Sequence, residues 1–127
     1  MVEEKNAVIE STRLTIDDHG ILSAWLILDY GGCGQGFGGY CLYTPKDREH
    51  TAKSRNYAGH FIWRVLEIAS VGEWSKLRGK TIRVRAEHGE VHAIGHIIKD
   101  DWFNPSVDLK ELDTLNLTSL MMGTRKY

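Results

Sequence analysis

Apolar and polar positions alternate with period two along the β-branched stretch from Ala7 to Ile16, and a strongly apolar strand follows from Ile21 to Tyr30. The Asp17-Asp18-His19-Gly20 turn sequence between them completes a predicted β-hairpin. A glycine-rich segment follows and runs into Tyr40-Cys41-Leu42-Tyr43-Thr44, which predicts a third, bent or bulged strand there. Pro45 to Ser54 is polar and reads as a loop.

The period then changes. Ala58, Phe61, Ile62, Val65, Leu66 and Ala69 recur at helical spacing, with Arg64 and Glu67 on the polar side and Trp63 off the stripe. Ser54 or Asn56 is placed to cap the first turn, and Gly72 to end the helix. Lys80 to Glu87 returns to period two, with Ile82 and Val84 facing one way and Arg83 and Arg85 the other. His88-Gly89 turns the chain into a last strand, Val91 to Ile98, and an aromatic-tipped loop at Asp100–Pro105 precedes a short helix from Ser106 to Leu112. The order β-β-β-α-β-β predicts an α+β domain: an antiparallel sheet of about five strands with one main helix packed on it. Residues 1–113 form this domain, and 114–127, leucine-bearing but without period, form a tail or interface arm.

Composition narrows the partners. At 127 residues the chain suits one domain with its own core. Its net charge of −1 lacks the basic excess that phosphate neutralisation on long nucleic acid requires, which disfavours duplex partners. No apolar run reaches the length of a membrane span, and the charged first residues give no signal-peptide h-region. Cys33 and Cys41, without a CxxC pair, read as free thiols in a reducing cytosol, packed as small apolar side chains.

Six of the thirteen glycines fall between Gly31 and Gly39. The literal match Gly34-x-Gly36-x-x-Gly39 is no dinucleotide fingerprint, because the glycines lead into a strand and not a helix. Either the strand is bulged at a tight sheet corner, or a ligand or subunit lies on the bare backbone. His88, His92 and His96 are spaced by four, but on a strand that places them about 13 Å apart, too far for one metal ion. His92 and His96 then share a strand face, as solvated surface groups or beside Arg83 or Arg85. No nucleophile is visibly activated, and no catalytic residues, metal or cofactor are assigned. An enzyme using His88 or His92 as a general base, or a single-strand nucleic-acid binder, is a lesser alternative.

The remaining constellation suits a planar anion. Arg55 immediately precedes the helix, where backbone N–H groups and a guanidinium seat phosphate. Arg83 and Arg85 share a strand face, and Trp102 and Phe103 offer rings for stacking. The candidate ligand set is Arg55, Arg83, Arg85, His88, His92, Trp102 and Phe103, with the backbone of Gly34, Gln35, Gly36 and Gly38.

Taken together, Asp18-His19-Gly20-Ile21, Gly34-Gln35-Gly36-Phe37-Gly38-Gly39-Tyr40, Arg83-Val84-Arg85-Ala86-Glu87-His88, Val91-His92-Ala93-Ile94-Gly95-His96 and Lys99-Asp100-Asp101-Trp102-Phe103 resemble small phage-encoded proteins. Among these, the chain is similar over residues 6 to 105 to the first type of Thoeris anti-defence protein. The resemblance implies a non-enzymatic sponge, cytoplasmic in the infected bacterium, that sequesters a cyclic ADP-ribose isomer. In some members it also implies cyclic trinucleotide binding at a separate site. It further implies a homo-oligomer, dimer or higher, with ligand near subunit boundaries. The alternative is a phage inhibitor that docks on a host defence complex through open strand edges, as anti-CRISPR proteins do.

Overall fold

Asp17 makes the first turn. Its carboxylate accepts the backbone N–H groups of His19 at 2.8 Å and Ile21 at 3.0 Å, and Gly20 supplies the left-handed residue at φ 79°. The chain therefore reverses between β1 (Glu3–Ile16) and β2 (Leu22–Tyr30), which pair antiparallel from Ile16↔Leu22 to Val8↔Asp29. Glu10 is an extra residue in β1, a bulge between Ile9 and Ser11.

The computed structural model describes residues 2–49 and 57–121, with backbone only for Cys33, Glu49 and 114–121. It is an α+β fold whose six-stranded antiparallel sheet has the order β3-β2-β1-β4-β5-β6. Here β3 is Cys33–Gly38, β4 is Thr81–Glu87, β5 is Glu90–Gly95 and β6 is Trp102–Phe103. The main helix α1 (Tyr57–Ala69) lies in the sheet's concave side, and α2 spans Pro105–Met121. The sheet curls until β3 comes beside β5.

Three expectations about where elements begin and end need adjusting. The third strand is the glycine-rich segment itself; Tyr40–Thr44 contributes only the single bridge Tyr43↔Leu22. Phe37 explains the difference, because in register with Leu26 it is carried fully into the core and anchors the strand. The last long strand stops at Gly95, so His92 and His96 do not share a strand face. The final helix runs well past Leu112, to Met121.

The core is the concave face of the sheet closed by α1. Ile9, Leu26, Leu28, Phe37, Ile82, Val84 and Ile94 are fully buried against Phe61, Val65 and Ile68. The buried stripe of α1 is Tyr57, Phe61, Val65, Ile68 and Ala69, turned slightly from the expected one. At its centre Phe61 stacks on Phe37 at 5.9 Å and meets Phe103 edge-on at 5.4 Å, so one aromatic cluster ties together β3, α1 and β6. Cys41 is exposed, contrary to the expectation of a packed apolar side chain. Residues 50–56, which include Arg55 and the expected helix caps Ser54 and Asn56, lie outside the described residues.

Candidate functional site

Because Ile82, Val84 and Ala86 of β4 face the core, Arg83 and Arg85 must face outward on the convex side. The next strand leaves room beside them. Gly95 sits opposite Arg83, and a Cβ there would stand 2.6 Å from Cε3 of Trp102. With Phe103 drawn into the core, its neighbour Trp102 points the other way and lays its indole flat on Gly95. Both arginines reach over that ring, with the Arg85 guanidinium 3.8 Å and the Arg83 guanidinium 4.9 Å from the centroid.

The two arginines have different work. Arg83 donates from Nε to the His96 carbonyl at 2.7 Å and from Nη2 to the Lys99 carbonyl at 2.6 Å, so it holds the 96–101 loop. Arg85 is 39% exposed, and among the described residues it meets no acceptor closer than Glu4 Oε2, 3.9 Å from its Nε. Glu4 is also 4.0 Å from Arg83, a spacing at which exposed pairs contribute little. The Arg85 fork is thus braced by an aromatic face while its N–H donors remain available for a carboxylate or phosphate.

The loop that carries Trp102 is fastened to α1 and to itself. Trp102 Nε1 donates to Asp100 at 3.1 Å. Arg64 on α1 donates to Asp101 at 2.8 Å and to the Trp102 carbonyl at 2.9 Å, and also pairs with Glu67. These contacts hold the Asp101 carboxyl below its ordinary range, chiefly through the Arg64 hydrogen bond, and raise Arg64 above its own. His96 completes the fastening. Its Nδ1 accepts the N–H groups of Ile98 and Lys99, both at 3.0 Å, and its Nε2 lies 2.9 Å from Ser70 Oγ.

The other expected ligand residues are placed elsewhere. Phe103 is fully buried in the aromatic cluster and presents no face to a ligand. His88 is a turn residue at φ 54°, its ring almost wholly in solvent, followed by Gly89 at φ 77°. His92 is half-buried beside Ala93, the residue opposite Arg85. Gly34, Gln35, Gly36 and Gly38 lie on β3, at the far end of the strand order from β6 but brought beside β5 by the curl, with Gln35 Nε2 close to the Gly89 turn. Of these, Gly36 is covered by the Trp25 indole, and Gly38 is pressed against the Ala24 carbonyl. The molecule's own Trp25 thus occupies much of the bare backbone that a ligand was expected to cover.

Sequence reading missed Ser70 and the role of His96. The run Ile94-Gly95-His96-Ile97-Ile98 looks like continuous strand, and the hydrogen bonds that bend it at His96 leave no periodic signature. In the β1–β2 turn, ligand-type atoms of Asp17, Asp18 and His19 gather within 4.8 Å of one another, but Asp17 is already engaged by the hairpin turn. No helix among the described residues is long and apolar enough to cross a membrane. No family model, curated protein or solved structure matches the chain.

Proposed function

We propose that this protein binds and sequesters a small phosphorylated nucleotide without cleaving it, and that Arg85, resting on Trp102, is the centre of the site. The ligand class is the one implied by the Thoeris anti-defence resemblance: a cyclic ADP-ribose isomer or a cyclic oligonucleotide used as an immune signal in the infected cell. One observation carries the reading. Arg85 is braced against an indole and keeps its N–H fork unspent, whereas Arg83 beside it is consumed by the loop carbonyls. Trp102 is covered by Gly95 on one side and reached by the guanidiniums, so a base stacks on the Arg85 plane and its phosphate takes the fork. The platform is open, and tight capture calls for enclosure. A second copy of the chain supplies that enclosure in a homo-oligomer.

The test is isothermal titration of the protein with cyclic ADP-ribose isomers and cyclic di- and trinucleotides, followed by heat release and chromatography of the ligand. The expected result is tight binding with intact ligand recovered, and loss of binding in Arg85→Ala. A cleaved product makes the protein an enzyme, and absence of heat with every nucleotide removes this reading. A second reading, docking on a host protein, has its own observation: Trp63 stands 70% exposed on α1, an anchor of the kind protein interfaces use. It predicts co-purification with a host partner that Trp63→Ser abolishes.

A further inference from the structure

His96 joins three things: its ring bonds its own loop and Ser70 just past the end of α1, and its backbone carbonyl accepts from the Arg83 guanidinium. The direction of these bonds fixes its protonation. The Ile98 and Lys99 backbone groups can only donate, so Nδ1 must be a bare acceptor. The ring proton therefore sits on Nε2 and is donated to Ser70 Oγ. An imidazolium carries a proton on Nδ1, which would face two N–H donors at 3.0 Å. The loop geometry and the charged ring are incompatible.

We infer that His96 is the positioning residue of the Arg83–Arg85–Trp102 platform, and that protonating it releases the platform. The neutral ring ties residues 96–101 into the bend whose His96 and Lys99 carbonyls hold Arg83 and whose far end sets Trp102 on Gly95. The charged groups that face His96 are Lys99, whose N–H its ring accepts, Asp101 from the same loop, and Arg83 of β4, which bonds its carbonyl; from the α1 side it meets the uncharged Ser70 hydroxyl. Arg64 already holds Asp101 and Glu67, and Asp100 takes the Trp102 indole N–H; Asp101 also attracts a charged His96 ring, but that attraction does not restore an acceptor at Nδ1. Arg83 and Lys99 add positive charge on the same side of the balance. Acidification thus drives the ring out of its seat and lowers the affinity of the site. The affinity part of this inference rests on the proposed nucleotide-binding role; the loop part does not.

The substitution His96→Asn places a side-chain oxygen where Nδ1 now sits, accepting from the second and third residues onward as an Asx turn does, with nothing to titrate. The test therefore uses three isotope-labelled full-length proteins: wild type, His96→Asn and His96→Ala. Each is compared at about pH 8 and about pH 5, across the interval in which histidine changes charge. Imidazole 15N shifts report the tautomer, and amide-exchange protection factors report the loop. Wild type is expected to carry its proton on Nε2 at the higher pH. The protection of Ile98 and Lys99 should fall about tenfold or more on acidification, as loss of two hydrogen bonds implies. Val65, inside α1, should keep its protection, which separates loop release from global unfolding. His96→Asn should hold the loop at both pH values, and His96→Ala at neither. A wild-type ring protonated on Nδ1 at the higher pH, or loop protection equal at both, overturns the inference.

Titration with a cyclic ADP-ribose isomer adds the second arm. Its affinity should weaken about tenfold or more on acidification in wild type and stay level in His96→Asn. Affinity that stays level in wild type while the loop opens overturns the link to the site but leaves the loop device standing. If no nucleotide binds at either pH, the binding role fails and the exchange data still decide the loop.

Discussion

The indole of Trp25 fills the space that a side chain at Gly39 would need: a Cβ built there comes 2.2 Å from Cζ2 and 2.7 Å from Cη2. Gly39 also sits at φ 76°, and its N–H bonds the Ala24 carbonyl at 2.9 Å, so the chain leaves β3 with glycine conformation and glycine bulk both required. Gly39→Ala is expected to destabilise the fold by about 2 kcal/mol or more, from left-handed strain plus displacement of the indole. Gly34→Ala, where a Cβ meets nothing within 4 Å, should cost under about 1 kcal/mol. Urea melts of both variants check the contrast, and equal losses would mean that Trp25 does not lie on this backbone.

The division of labour between the two arginines is separable by mutation. Arg83→Ala removes two charge-assisted bonds to loop carbonyls and should lower stability by about 1.5–3 kcal/mol. Arg85→Ala removes a cation–π contact at a part-exposed site and a long ion pair, so it should cost about 1 kcal/mol or less while removing nucleotide affinity. Thermal melts paired with titration calorimetry test this. A larger stability loss in Arg85→Ala than in Arg83→Ala reverses the assignment.

Acid should act on the same loop through a different group. The Asp101 carboxyl is held below the ordinary aspartate range, first by the Arg64 hydrogen bond and also by the nearby positive charges. A carboxyl depressed in the folded state contributes stability that is fully present above its unfolded pKa. That contribution is lost as pH falls through the lower, folded value. Asp101→Asn should therefore narrow the loss of urea-midpoint stability between about pH 5 and about pH 2, where carboxylates titrate. An unchanged acid limb in this variant would show that Arg64 and Asp101 are not paired in solution.

How much of this is legible in the residues differs from element to element. Period-two alternation locates β4 and the part of β1 where Ala7 and Ile9 turn inward, apolar content locates β2, and helical spacing locates α1, because a buried face must advertise itself. Placing Arg83 and Arg85 together outside follows from the same alternation. The glycine-rich strand is legible only as one of two readings, because Gly34, Gly36 and Gly38 present no side chains to alternate; only Phe37 marks the core face. Phe103 and Trp102, adjacent and both aromatic, cannot be told apart by type, and their opposite fates are decided by pairing with Ile94 and Gly95. The loop that bends at His96 depends on a ring nitrogen accepting from the backbone, a bond that no spacing rule encodes.

The end of α1 makes the same point in a form that can be measured. Gly72 is the stop that the sequence predicts, yet the left-handed residue is Ser70 at φ 57°. The Val71 N–H reaches the Leu66 carbonyl and the Ser70 N–H the Glu67 carbonyl, the paired bonds of a Schellman end. A serine in this conformation costs about 1 kcal/mol relative to glycine, and its Oγ contact with His96 offsets that strain. Ser70→Ala keeps the strain and loses the bond, so it should lower stability by about 1 kcal/mol. Ser70→Gly loses the bond but relieves the strain, and should lie within about 0.5 kcal/mol of wild type. If the two variants melt together below wild type, the backbone strain is absent. If both melt with wild type, the hydroxyl contributes nothing to holding the ring of His96.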